Sequence, residues 1–136
     1  MDNISPQRRS ALMSHVRSSD TTPEIEVRKI VWSLGFRYRL HSRQVPGSPD
    51  LVFPGRKKVI FVHGCFWHAH EGCSRARLPK TRPEFWQAKR EQNKQRDLKV
   101  EAALLAQGWN ALIVWQCELR DSTIRDKIAA FLQVGP

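Results

Sequence analysis

The segment Cys65-Phe-Trp-His-Ala-His-Glu-Gly-Cys73 gathers two thiols, two imidazoles and two adjacent large aromatics. Thiolate and imidazole are the donors that Zn²⁺ takes in a closed tetrahedron. The three cysteines of the chain, Cys65, Cys73 and Cys117, together with His70 make a Cys3His set, which fills a structural zinc site and leaves no position open for a catalytic water. The competing reading has each cysteine as an inert small hydrophobe and the histidines as a polar cluster. With zinc saturated, His63 and His68 are left over, and Asp50 offers the hard oxygen that Mg²⁺ prefers. A carboxylate, two imidazoles and Mg²⁺ suit phosphodiester hydrolysis. The metal polarises phosphoryl oxygens and steadies the leaving oxygen, while an imidazole accepts a proton from water or neutralises phosphate charge. Taken singly, Asp50 after Ser48-Pro49 also suits a turn, and Glu24 suits the positive end of a helix.

Phe66, Trp67 and Trp86 are either core residues or a wedge for a base stack. Separating a base step costs a few kcal/mol, least at a mismatch, and an inserted aromatic recovers stacking and buried area. The charge balance favours such a partner. With 23 Lys and Arg against 13 Asp and Glu, the 136-residue chain carries +10, as expected for a protein that meets a polyanion. Residues 74 to 99 hold nine Lys and Arg against three acids, a basic segment able to follow a duplex backbone or simply a solvated helix face. A membrane finds no support, because no apolar run approaches about 18 residues and the start shows no signal-peptide pattern. A cytoplasmic location is the expectation, and a reducing compartment turns the cysteines toward metal binding or burial rather than disulfides.

Several elements must position these groups. Residues 1–21, including Met13, read either as a flexible N-terminal arm that contacts DNA or as a solvated, partly frayed terminus, and residues 22–136 as a single domain of about ordinary size. A helix is expected from Thr22 as N-cap, with Pro23 in its first turn, Val27, Ile30, Val31 and Leu34 on one face, and Gly35 as its stop. Phe36, Tyr38 and Leu40 alternate with Arg37, Arg39 and His41, the period of a half-buried strand with a basic outer face. Pro46-Gly-Ser-Pro49 delivers Asp50 to the head of Leu51-Val-Phe53, and Pro54-Gly55 turns the chain back into Lys58–Val62 as a hairpin. Residues 84–107 suit a helix with Val100, Ala103, Leu104 and Leu105 as its apolar stripe. Ala111–Trp115 reads as a fully buried strand, and Ile124, Ile128, Phe131 and Leu132 mark a last amphipathic helix.

Five strings in order, Pro46-Gly-Ser-Pro-Asp50, Val59-Ile-Phe-Val-His-Gly-Cys-Phe-Trp-His68, Thr81-Arg-Pro-Glu-Phe-Trp86, Asn93-Lys-Gln-Arg-Asp97 and Gly108-Trp-Asn-Ala-Leu-Ile-Val-Trp-Gln-Cys117, resemble the very short patch repair (Vsr) endonucleases. The resemblance runs from about Arg8 to Leu119. It implies an α/β, restriction-endonuclease-like fold, a mixed central sheet flanked by helices with a structural zinc site. It implies an Mg²⁺-dependent enzyme that nicks double-stranded DNA 5′ to the mismatched thymine of T:G pairs left by deamination of 5-methylcytosine.

Position by position, the resemblance makes Asp50 and the backbone carbonyl of Val62 the Mg²⁺ ligands and His68 the general base. It has His63 contact or protonate phosphate oxygens, and makes Glu24 a support for the metal's water. Zinc falls to Cys65, His70, Cys73 and Cys117, and intercalation beside the mismatch to Phe66, Trp67 and Trp86. Met13, Lys89 and Asn93 are expected to join the DNA-binding set, while Asp97 matches a polar position without an assigned role. The chain departs from the wider nuclease superfamily in having neither acid nor lysine in Phe61-Val-His63, so imidazole must substitute, as in the Vsr branch. It also has Glu71-Gly72 between His70 and Cys73, one residue longer than the familiar spacing. A monomeric enzyme is expected. The alternatives are another small Mg²⁺ nuclease of this fold, or a zinc-stabilised DNA-binding module without catalysis; the module would have no use for Asp50, His63 and His68 together.

Overall fold

A computed structural model describes residues 21–68 and 70–133 of the chain. The proposed arm, with Met13, therefore lies outside the described residues apart from Thr21.

Helix α1, Thr22–Ser33, is capped one residue earlier than expected, at the extended Thr21, with Pro23 in the first turn where its missing N–H costs nothing. Val27 and Val31 are fully buried and Ile30 and Leu34 pack beside them. Gly35 ends the helix at φ +92°. The strand expected over 36–41 shrinks to β1, Arg39–Leu40, and Leu40 is exposed rather than buried. Phe36 and Tyr38 do pack on the core, but His41 takes φ +48°, a left-handed conformation that turns the chain and breaks the alternation there.

The hairpin forms as the turn residues dictate. Strand β2, Leu51–Phe53, passes through a 3₁₀ turn, Pro54–Arg56, into β3, Lys58–His63, antiparallel with Leu51 opposite Ile60. Helix α2, Pro83–Ala106, then crosses to β4, Asn110–Trp115, which pairs parallel to β3 with His63 beside Trp115. The sheet is mixed, ordered β1-β2-β3-β4. After a 3₁₀ turn at Gln116–Arg120 comes α3, Ile124–Gln133.

Strand alternation sorts the sheet's side chains to two faces. Leu51, Phe53, Ile60 and Val114 meet Val27 and Val31 of α1 and Ile124, Ile128 and Leu132 of α3. Val52 and Val59 point the other way, toward Leu104 and Val100 of α2, with Val45 and Trp109. At the C-terminal end of α3, Lys58 Nζ donates to the Phe131 carbonyl at 2.6 Å and an Arg56 guanidinium N–H to that of Leu132 at 2.9 Å. These last-turn carbonyls have no intrahelical donor, so the two cations satisfy them and complement the helix dipole.

Two expectations about α2 and β4 need correction. Leu105 is 66% exposed and leaves the apolar stripe to Val100 and Leu104. Strand β4 is not fully buried, since only Val114 is sealed. Its other face looks into a cavity of about 460 Å³ between α2 and the sheet, lined in part by Phe61, Leu98, Val100, Ile113 and Trp115.

Candidate functional site

The first turn of α1 and the head of β2 bring two acids together. Glu24 is 2% exposed, and its Oε2 accepts from Arg28 Nη2 at 2.7 Å and lies 3.1 Å from His41 Nε2. Asp50 Oδ2 accepts the Val62 N–H at 2.6 Å, which ties the carboxylate to the end of β3. Burial and then its side-chain contact with Glu24 push the Asp50 carboxyl up to about 8, against the opposing pull of the Val62 N–H and Arg28. Two acids held together away from water share a proton, or a cation replaces it. His41, which strand alternation had placed on an outer face, is the third member. Glu24, His41 and Asp50 each offer one donor atom, and the three lie within 4.8 Å of one another.

The second cluster sits past the end of β3. His63 is 7% exposed, its ring stacked on His68 at 3.7 Å between centroids and 6° between planes, with the Trp115 ring edge-on at 5.2 Å. Burial, followed by the neighbouring His68, lowers His63 to about 4, with Asp97 pulling the other way. His63 is therefore neutral near pH 7 in the free protein. A neutral ring carries an N–H that can donate but no acidic proton, and its buried Nδ1 has no hydrogen-bond partner among the described residues. Asp97 Oδ2 lies 2.6 Å from His68 Nδ1. That pairing assigns the proton to Nδ1 and leaves Nε2 as an acceptor, the arrangement of a carboxylate-oriented general base. Asp97, to which the sequence assigned no role, is thus the hydrogen-bond partner of His68. Both His63 and His68 open onto the cavity beside α2.

The cysteines and His70 converge. Cys65, His70, Cys73 and Cys117 offer donor atoms within 4.8 Å of one another, and Cys117 Sγ lies 3.4 Å from His70 Nδ1. Tetrahedral zinc with ordinary Zn–S and Zn–N bonds separates such a pair by about 3.6 Å. The three thiols are free of disulfides. Burial, then contact with Cys65 and Cys73, pushes the Cys117 thiol up to about 11, so that thiol stays protonated near neutral pH unless a cation sits beside its sulfur. Trp115 stacks flat on His70 at 4.1 Å. The turn bearing Cys117 is clamped as the Trp115 N–H donates to Glu118 Oε1 at 2.9 Å and Lys127 Nζ to Glu118 Oε2 at 2.6 Å.

Phe66, Trp67 and Trp86 form one aromatic group with centroid separations of 5.2 to 5.8 Å, and Phe85 joins through Trp86 at 5.1 Å. None of the four belongs to either hydrophobic core, and Trp67 and Phe85 are exposed. Their reading as ordinary core residues therefore fails. Cations surround them: Arg90 lies over Phe66, and Arg82 and Lys89 over Phe85. The Asn93 amide donates to the Trp67 carbonyl at 3.0 Å, so this residue braces the aromatic loop. Phe85 was not singled out in the sequence, although its place beside Trp86 was a usable signal.

Comparison with known proteins adds chemistry to this geometry. The family model described as DNA mismatch endonuclease Vsr matches residues 1–75. The chain is 54% identical over 120 residues to the type II nicking enzyme V.XorIIP of Xanthomonas oryzae pv. oryzae, covering 88% of each protein. Against the type II nicking enzyme V.NmeAIP of Neisseria meningitidis it is 39% identical over 123 residues, 90% of this chain and 87% of that one. Against the DNA mismatch endonuclease Vsr of Escherichia coli it is 39% identical over 112 residues, 82% of this chain and 71% of that one.

Proposed function

We infer the reaction from one premise: this chain belongs to the DNA mismatch endonuclease Vsr family and is an endonuclease that hydrolyses DNA. A non-catalytic binding module is thereby set aside. Within that activity, the finer reading is a strand-specific nick 5′ to the thymine of a T:G pair in duplex DNA, dependent on Mg²⁺ and made by a monomer built on a restriction-endonuclease-like core.

The observation that carries this reading is the 2.6 Å bond from the Val62 N–H to Asp50, which sets the paired acids beside the strand end bearing His63. Asp50 and the Val62 carbonyl would hold Mg²⁺, with Glu24 supporting its water; the cation would stabilise charge on the phosphoryl and leaving oxygens. The protein's own groups do the rest. His68, oriented by Asp97, accepts a proton from the attacking water, and neutral His63 donates to a phosphate oxygen. Zinc held by Cys65, His70, Cys73 and Cys117 would lock the loop that carries both the wedge and His68. Phe66, Trp67 and Trp86 enter the weakened stack at the mispair, and Lys89 meets the backbone.

The test is a duplex with one T:G pair, end-labelled on either strand, incubated with the protein and Mg²⁺ beside a matched T:A duplex. A nick confined to the thymine strand of the mismatched duplex is expected, with Asp50→Asn inactive. Equal cutting of the T:A duplex would refute the mismatch reading, and an Asp50→Asn protein as active as the parent would refute the cation site.

A further inference from the structure

We propose that Arg90 reads the major-groove edge of a guanine in the base pair next to the inserted aromatics, and so gives this enzyme a preference for G at one position flanking the mispair; the inference rests on reading Phe66 as part of the wedge.

Arg90 is a buried cation without a counter-charge. It is 8% exposed, and its Nε is sealed from solvent with no hydrogen-bond partner. No carboxylate among the described residues pairs with it. Of the acids near it on α2, Glu91 accepts from Gln95 Nε2 at 3.0 Å and Asp97 is held to His68. The other members of its helix face are matched, Asn93 to the Trp67 carbonyl and Trp86 to the aromatic group. A guanidinium stays charged when it is buried, so donors left unpaired away from water are costly. The Phe66 ring, 5.4 Å from the guanidinium carbon, offsets part of that cost but accepts no hydrogen bond in the guanidinium plane. Acceptors brought from outside the chain would complete the group.

Its place decides which acceptors. A cation over the face of an aromatic ring lies in the next stacking layer. Once Phe66 occupies a base step, that layer is a base pair, and a guanidinium beside it meets base edges. Phosphates run along the outer rim of the duplex, where the exposed Lys89 is better placed. An α-helix such as the 24-residue α2 fits the major groove, and there guanine alone presents two acceptors, N7 and O6, that match a guanidinium fork. With Nε sealed, the two Nη groups are the donors such a base can reach.

The test measures binding of protein carrying one equivalent of Zn²⁺ to T:G duplexes, without Mg²⁺ so that no strand is cut. The pair on each side of the mispair is varied through all four bases. At one of these positions guanine should bind about tenfold or more tightly than the others, and 7-deazaguanine, which lacks N7, should lose most of that gain. Arg90→Met keeps the stem without the donors and should bring the four bases within about threefold there. Arg90→Gln should erase the preference or turn it toward adenine. Each readout is a ratio within one protein, so a general loss of affinity does not mimic it. A parent indifferent to that base, or a guanine preference kept in both variants, overturns the proposal. So does uniform weakening on every duplex with the slope of log affinity against log salt reduced by about one, which marks a phosphate contact. A 2-aminopurine beside the mispair, whose fluorescence rises on unstacking, separates the two readings. A rise with the parent and with variants that still prefer guanine shows that only Arg90 is wrongly assigned; no rise with the parent removes the wedge and this inference with it.

Discussion

Adding Mg²⁺ to the metal-free acid pair should expel a proton. The Asp50 carboxyl, beside Glu24, stands at about 8, so at pH 7 it holds most of a proton that a bound cation would displace. The release should fade as pH passes through about 8, and Mg²⁺ affinity should rise by up to about tenfold per unit below that value before levelling above it. Calorimetric titrations in two buffers of different ionisation enthalpy read the proton count directly, with Zn²⁺ retained throughout. Asp50→Asn removes the titrating group and should lose both the release and the pH dependence. The sign for stability follows. A folded value raised above the unfolded one means that the native chain binds more protons, so without a cation stability falls as pH climbs from about 4 to about 8, by at most about 1.4 kcal/mol per unit. Saturating Mg²⁺ should flatten that slope. A heat of binding independent of the buffer at pH 7, or an affinity constant from pH 6 to 8, would refute the shared-proton reasoning.

Other perturbations address the remaining groups. His63 has a folded value near 4, below its unfolded value of 6.5, so the unfolded chain is protonated first as pH falls. Its contribution lowers stability between about pH 6.5 and 4, opposite in sign to Asp50, and is read as the difference between parent and His63→Gln in denaturant unfolding; a difference constant across that window would contradict the buried neutral ring. Asp97→Asn should cut the nicking rate by about 100-fold or more through loss of a correctly oriented His68, with little change in DNA affinity; an undiminished rate would remove the dyad from the mechanism. Trp67→Ala, outside both cores, should weaken mismatched-duplex binding by about 1 to 3 kcal/mol in anisotropy titrations while shifting unfolding by less than about 0.5 kcal/mol. Cys117→Ser should retain much less than one equivalent of zinc after dialysis, where the parent holds one, and should melt at lower temperature; a parent without zinc would contradict the Cys3His site.

The hairpin was legible because its information is local. Pro46 to Pro49 and Pro54-Gly55 are turn residues, and the apolar runs between them have nowhere else to go, so Asp50 arrives at a strand head with Val62 opposite. The four metal-type donors were legible because Cys and His are scarce and specific. His41 was not, since alternation placed it on a solvent face and only a left-handed backbone at that residue turns it inward. Asp97 was hidden for another reason: its partner His68 is 29 residues away, and the contact exists only once α2 is docked. Strand β4 misled because an apolar run reports hydrophobic lining without saying whether a helix closes on it or stands off to leave a cleft. The aromatic group was ambiguous in sequence because Phe and Trp are used for cores and for stacking alike, and only the folded chain shows these outside both cores.

Helix α2 joins these parts mechanically. Trp86, Arg90, Asn93 and Asp97 follow one another at intervals of four, three and four residues, which on an α-helix is a single face. Along that face Trp86 meets Phe66 and Trp67, Arg90 lies over Phe66, Asn93 holds the Trp67 carbonyl, and Asp97 holds His68. The metal-type donors Cys65 and His70 bracket the same loop. A helix is stiff over three turns, so Trp86 and Asp97, with the aromatics and the His68 ring that they hold, cannot shift independently. Whatever seats the aromatics in a weakened base step also sets the position of Asp97, and through it the direction of His68. On the proposed reading, recognition of the mispair and alignment of the general base are two ends of one rigid contact.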